Sequence, residues 1–142
     1  MPSLGQEKKS IKAVLDTNVL ISAYLFSKRL GTIADLIQQD KVVPCFITST
    51  LAELEEVLAY PKFLATIKSN QTTPEHIFKT IRNKSVTLPD PVKIPLLVSD
   101  VFDNYILASA GAHKVNYLVT GDQLVLKLKR FQNIPIITPR NF

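Results

Sequence analysis

Apolar residues recur along this chain in two rhythms, short unbroken runs and runs spaced three or four apart, and the two alternate. Residues 11–15 and 42–47 are near-continuous apolar stretches with several β-branched members. That pattern predicts strands buried on both faces, as in a parallel sheet. Residues 17–26 read as the opening of a helix, and 30–39 carry Leu30, Ile33, Ala34 and Ile37 at helical spacing. A helix from Ser49 places Leu51, Leu54, Val57 and Leu58 on one side, and Pro61 closes it. Segments 62–69 and 74–84 are two more helices, the second opened by Thr73 as a capping residue with Pro74 in the first turn. Further along, 85–88 predicts a third, short strand, 89–95 a proline-rich loop and 104–113 a helix of small residues able to pack closely on a sheet. A fourth strand at 117–120, a basic helix at 123–130 and a fifth strand at 134–137 complete the chain.

The alternation predicts an α/β protein, a three-layer α/β/α sandwich around a central, mostly parallel sheet of about five strands. A length of 142 residues suits one domain, with 1–9 as a polar leader and 10–142 as the folded unit. With 46% hydrophobic and 20% charged residues, the composition argues against extensive disorder. No apolar stretch approaches the roughly 18 residues of a membrane-spanning helix, and the start has no hydrophobic signal region. A cytoplasmic protein without a membrane partner is therefore expected. The single cysteine, Cys45, sits in an apolar run and predicts a small buried hydrophobe, with no disulfide or zinc spacing. The balance of 17 basic against 12 acidic residues gives +5 and directs attention to polyanions, nucleic acid first.

The acidic residues carry the candidate chemistry. Asp16 directly follows the first strand, Asp122 follows the fourth, and Asp103 stands at the front of a helix. Ligands of open parallel sheets bind outside the carboxyl ends of the strands, where strand order reverses. Glu53 lies one helical turn into the segment after the second strand, beside its apolar stripe. Glu56 falls on the same side and Glu55 on another. Carboxylates converging on a cleft raise one another's pKa values, and a divalent cation removes that penalty. An oxygen-only donor set favours a hard ion such as Mg²⁺ or Mn²⁺ over zinc. Gly121 would let the backbone turn tightly before Asp122, and the Thr120 hydroxyl and Asn18 amide suit a metal-bound water or a carboxylate oxygen. Aspartate at such a junction is equally a helix N-cap, and it is the combination of several that points to a metal site.

Four segments in order, Val14-Leu15-Asp16-Thr17-Asn18-Val19-Leu20, Leu51-Ala52-Glu53-Leu54-Glu55-Glu56-Val57-Leu58, Asp103-Asn104-Tyr105-Ile106-Leu107-Ala108-Ser109-Ala110 and Tyr117-Leu118-Val119-Thr120-Gly121-Asp122, together with the closing Ile136-Ile137-Thr138-Pro139-Arg140-Asn141-Phe142, resemble the PIN-domain family. The likeness is strongest to its small prokaryotic, toxin-like (VapC-type) members. It implies a catalytic quartet of Asp16, Glu53, Asp103 and Asp122, with Asn18 and Thr120 as polar helpers and Asp16, Asp103 and Asp122 on the metal. Asp100 is either an additional ligand or a loop residue. The resemblance further implies a Mg²⁺- or Mn²⁺-dependent endoribonuclease, the toxin of a toxin–antitoxin pair, with RNA as substrate, a small antitoxin as partner and a homodimeric state. The segment Val98-Ser99-Asp100-Val101-Phe102 departs from the more acidic stretch usual in this subgroup.

Lys127, Lys129 and Arg130, on the basic helix, are candidate RNA contacts, with Lys8, Lys9, Lys12 and Arg140 extending a phosphate-tracking surface. Tyr24, Phe26 and Tyr105 are candidates for base stacking, with core packing the better expectation for Phe26. His76 and His113 lack metal-ligand spacing and are expected at the surface. Two other readings compete: a catalytically inactive PIN-like module that binds RNA or protein, and a phosphoacceptor domain. The second would need an acidic pair after the first strand, where Leu15 and Thr17 flank Asp16.

Overall fold

The computed structural model describes residues 10–26 and 32–142. The proposed leader, residues 1–9, lies outside them, as does Leu30. Strands β1 (Ile11–Leu15), β2 (Val42–Ile47), β3 (Val86–Leu88), β4 (Tyr117–Val119), β5 (Arg130–Phe131) and β6 (Ile134–Ile137) form one sheet in the order β3-β2-β1-β4-β6-β5. All neighbours pair in parallel except β5 with β6. Helices α1 (Thr17–Leu25), α2 (Ile33–Gln38), α3 (Thr48–Leu58), α4 (Pro61–Ser69), α5 (Pro74–Asn83), α6 (Val101–His113) and α7 (Gln123–Leu126) connect them. Among the described residues no helix is long and apolar enough to cross a membrane.

The pleat sends successive side chains into two separate cores. On β1, Ala13 and Leu15 face one core while Val14 faces the other. On β2, Val42 and Phe46 join the first and Cys45 the second; on β4, Val119 and Leu118 divide the same way. The first core packs against α1, α2, α3, α4 and α5, and the second against α6 and α7. This is the three-layer arrangement the apolar runs predict, and Cys45, 2% exposed, is the buried thiol expected.

One expectation is refined and two need correction. The sheet has six strands, because β5 is a two-residue edge strand whose apolar content is too small to register as a run. It joins β6 through Gln132 and Asn133, both at positive φ, as a tight hairpin of primed type requires. The basic helix at 123–130 is in fact only Gln123–Leu126. Lys127 caps it, Lys129 takes a left-handed conformation at φ 61°, and Arg130 enters β5. Finally, α6 begins at Val101, so Asp103 sits within its first turn and Asp100 is the capping residue.

Helix α6 crosses β2 closely because Ser109 and Ala110 face the sheet, both fully buried. The Ser109 hydroxyl donates to the Cys45 carbonyl at 3.0 Å. Ser109→Leu is expected to destabilise the protein by about 1–3 kcal/mol through overpacking, and Ser109→Ala by about 1 kcal/mol through the lost hydrogen bond. Urea unfolding of both variants checks this; a tolerated leucine would show that α6 can lift from the sheet.

Candidate active site

Strand order reverses between β1 and β4, so chain segments leave their carboxyl ends in opposite directions and a crevice opens there. One local device brings three aspartates to it. Asp16, Asp100 and Asp122 each take the N-cap position of the following helix. Each accepts the backbone N–H two residues on: from Asn18 at 3.0 Å, Phe102 at 2.9 Å and Leu124 at 2.8 Å. A carboxylate there satisfies an orphan donor and lies at the positive end of the helix dipole. Capping therefore accounts for one oxygen of each of these residues.

The remaining contacts are not capping contacts. Thr120, 1% exposed, donates its hydroxyl to Asp16 Oδ2 at 2.8 Å and accepts the Asp122 N–H at 3.0 Å. One hydroxyl thus ties together acids 106 positions apart in the chain. Glu53, in the second turn of α3, has a buried Oε2 without a hydrogen-bond partner. Asp103, 9% exposed in the first turn of α6, has a buried Oδ2 without one. Among the described residues the one ion pair is Lys84 with Asp40, so no basic side chain among them neutralises these acids.

Burial, reinforced by the charges of Asp16, Asp100 and Glu56, pushes the Glu53 carboxyl up to about 7. Burial, then Asp122, Asp100 and Asp16, pushes Asp103 up to about 7 as well. Two carboxyls share a hydrogen bond only when one is protonated, and the contact of Asp103 with Asp122 therefore also favours its neutral form. Asp16, Glu53, Asp103 and Asp122 are thus electrostatic neighbours, with Asp100 and Glu56 beside them. Glu55 is exposed and takes no part.

A divalent cation fits this donor set. The unpartnered Glu53 Oε2 and Asp103 Oδ2 are acceptors with nothing to accept from, and all donors are hard oxygens. Among the described residues no three of the acids are already gathered into a ligand cage. Asp16 and Asp122 spend oxygens on α1, α7 and Thr120. Binding therefore requires side chains to draw inward as the charge is neutralised.

A cleft of about 660 Å³ opens beside the acids, lined by Asp16, Asn18, Val19, Ser22, Thr32 and Asp122 among others. Glu53 and Asp103 do not line it, so the cleft approaches the cluster from the side of α1. Gly121 lines it too, but has no left-handed φ, and a Cβ there would meet nothing within 4 Å. The turn before Asp122 therefore does not require a glycine. Ser22, Thr32 and Pro139 were not legible as cleft residues, because only the fold brings their segments together.

Two loop anchors also escaped the sequence pattern. Ile47 cannot cap α3 with its side chain, and Asp90, from the loop after β3, accepts the Ser49 N–H at 2.9 Å and bonds its hydroxyl. Asn104, 4% exposed, accepts from the N–H groups of Leu97 and Val98 and donates to the Val98 carbonyl. The loop is thus fastened to the helices that carry Glu53 and Asp103. The prolines flanking Asp90 are the one sequence sign of its ordered setting.

Of the proposed RNA contacts, Lys127, Lys129 and Arg130 are exposed but share no helix face, and the Arg130 guanidinium donates to the Asn133 carbonyl at 3.2 Å. Lys12 and Arg140 are exposed, Arg140 next to the cleft residue Pro139; Lys8 and Lys9 lie outside the described residues. Phe26 is 54% exposed rather than packed in the core. Tyr24 is half-buried and accepts from Gln38, and Tyr105 is half-buried. His76 is exposed as expected, whereas His113 is half-buried with Nε2 2.7 Å from the Phe46 carbonyl, because α6 lies across β2 there.

The raised carboxyls fix the sign of a pH effect. Glu53 and Asp103 ionise near 4.5 and 3.8 when unfolded but near 7 when folded, so the metal-free fold is favoured below pH 4 and loses that contribution as pH rises to about 7. Asp103→Asn is expected to flatten this fall and raise Tm at pH 8 in EDTA by roughly 2–5 °C. Calorimetry from pH 4 to 8 checks it; a wild-type Tm rising over that range would contradict the arrangement.

Comparison with known proteins agrees with the fold. A PIN domain family model matches residues 12–124. No curated protein matches the chain. The structure is similar to VapBC2 from Rickettsia felis, crystallised bound to a DNA fragment from their promoter, with TM-score 0.57 and 18% identity over 90% of this chain and 98% of that one. It is also similar to the PIN domain endonuclease Utp24, with TM-score 0.53 and 18% identity over 89% and 84% of the two chains. At that identity the structures speak to the fold alone, while the family model covers most of the chain. The sheet order, the crevice between β1 and β4 and this match lead to one assignment: the chain belongs to the PIN-domain family.

Proposed function

We propose that the chain is a Mg²⁺- or Mn²⁺-dependent endoribonuclease that hydrolyses RNA phosphodiester bonds, and the toxin of a toxin–antitoxin pair. The observation that carries the reading is the pair of buried, unpartnered oxygens, Glu53 Oε2 and Asp103 Oδ2, set among further acids with no basic side chain described beside them. Asp16, Asp103 and Asp122 would hold the cation, with Asp100 able to join them. When bound, such an ion activates water and neutralises charge that develops on the phosphate. Glu53, whose buried Oε2 has no partner, is suited to take a proton from the attacking water. Thr120 fixes Asp16 and Asp122, and Asn18, exposed on the cleft wall, is placed to meet the substrate. The net charge of +5 suits a polyanionic substrate, with Lys127, Lys129, Arg130, Lys12 and Arg140 as dispersed contacts.

The toxin role, the small antitoxin partner, the homodimer and a cytoplasmic site of action belong to the same proposal. They are supported by the resemblance of the motif order to toxin-type members and by the structural likeness to VapBC2.

Single-stranded RNA incubated with the protein and Mg²⁺ or Mn²⁺ should be cut internally, and EDTA or Asp16→Asn should abolish cutting. Glu53→Gln is expected to lower kcat by about 10²–10⁴-fold. Cleavage that survives both EDTA and Asp16→Asn would eliminate the reading; RNA binding without cleavage under every metal would leave a non-catalytic module. Thr120→Val keeps the shape but removes the shared hydroxyl, and should cost about 10–100-fold in metal affinity or activity. Titration of Mn²⁺ against both forms measures it, and equal affinity and activity would show that Thr120 serves the fold alone.

A further inference from the structure

Helices α3 and α6, which carry Glu53 and Asp103, pack against each other. Among the described residues no hydrogen bond or ion pair joins them directly. The far half of α6 is tied to β2 instead: Ser109 donates to the Cys45 carbonyl, and His113 Nε2 lies 2.7 Å from the Phe46 carbonyl. Strand β2 runs straight into α3 at Thr48. The near end of α6, where Asp103 stands in the first turn, is tied by another route, the segment from Asp90 to Val98.

Parallel pairing of Ile47 with Leu88 brings the residues after both strands side by side. Asp90 there accepts the Ser49 N–H at 2.9 Å and takes the Ser49 hydroxyl on its other oxygen. At the far end of the segment, Asn104 accepts from the N–H groups of Leu97 and Val98 at 3.0 and 3.1 Å. It also donates to the Val98 carbonyl at 2.8 Å. The bonds close a circuit that runs from β2 through α3, Asp90, the segment, Asn104 and α6, and returns to β2 at Ser109. Burial does little to hold the segment, since Val92 is fully exposed and Leu96 is 88% exposed. Its polar ends, with Val98 packed on the second core, decide where it lies.

We propose that the segment from Asp90 to Val98 is a brace that sets the spacing of Glu53 and Asp103, with Asp90 as a positioning residue for cation binding. The proposal rests on the nuclease reading above and adds to it a part of the chain that touches neither cation nor substrate. Glu53 Oε2 and Asp103 Oδ2 are buried without partners, so these two oxygens take their places from the backbones of α3 and α6. Glu53 stands one helical turn past Ser49, and Asp103 directly precedes Asn104. Each end of the brace thus grips within a turn of the acid it serves. Asp90 is not among the charges acting on Glu53 or Asp103, and its route to the site is through Ser49.

The test reads Mn²⁺ binding directly, by calorimetric titration of the folded protein without RNA. Asp90→Ala removes both bonds to Ser49 and should weaken Mn²⁺ about tenfold, as loss of a group that orients a ligand from outside the coordination shell does. Asp90→Asn keeps an acceptor for the Ser49 N–H without the charge, and should bind within about twofold of wild type. Thr73→Ala removes the cap of α5, and should lower Tm as Asp90→Ala does while leaving Mn²⁺ affinity unchanged. Because the brace fails when either end is released, Asp90→Ala with Asn104→Ala should weaken Mn²⁺ no more than the stronger single variant. Wild-type affinity in Asp90→Ala overturns the proposal. So do an Asp90→Asn as weak as Asp90→Ala, which assigns the effect to charge, an equal loss in Thr73→Ala, and additive losses in the double variant. If Asn104→Ala fails to fold, the Asp90 variants decide alone. A wild type that binds no Mn²⁺ overturns the proposal together with the nuclease reading. The expected order of affinities in a protein that cuts no RNA overturns the nuclease reading and leaves the brace standing.

Discussion

Buried carboxylates repel one another, and this repulsion organises the site. Where β1 and β4 part, Asp16, Glu53, Asp103 and Asp122 are electrostatic neighbours without a described basic partner. Packing of two cores on either side of the sheet must overcome that cost, and it does so with apolar runs that leave little freedom in the strands.

Capping and chemistry are often treated as rival explanations for an aspartate at a strand-to-helix junction. Here they cooperate. The cap bond holds one carboxylate oxygen of Asp16, Asp100 and Asp122 in a fixed direction. The donors are the backbone N–H groups of Asn18, Phe102 and Leu124, two residues on from each acid. Asp103 and Glu53 are different: neither caps a helix, both leave a buried oxygen unpartnered, and both carry the raised pKa values. The division is between acids anchored by the backbone and acids left available.

The parallel strands and most helices were legible because each is a continuous apolar run or a stripe of one period. Asp16, Asp103 and Asp122 were legible for a related reason, since each interrupts such a pattern at its edge. What was not legible depends on contacts distant in the chain. β5 is defined by pairing with β6 and has too few residues to show a period. The basic segment 123–130 looks helical by composition, but Lys129 must turn left-handed to let Arg130 join the sheet. Asp90 is an ordinary loop acid until the fold brings it to the uncapped end of α3. Phe26, exposed, and His113, half-buried against Phe46, show the same limit: one residue's burial is decided by neighbours its local sequence does not name.

The bond from Thr120 to Asp16 joins residues 104 positions apart, and β1 finds its β4 neighbour across the same interval. During synthesis the first acid leaves the ribosome long before the last. Until residue 122 has emerged, the inner edge of β1 has no partner strand and Asp16 faces open water. An incomplete chain therefore cannot assemble the pocket. A chain of this topology has no assembled pocket until β4 and the segment after it have joined β1.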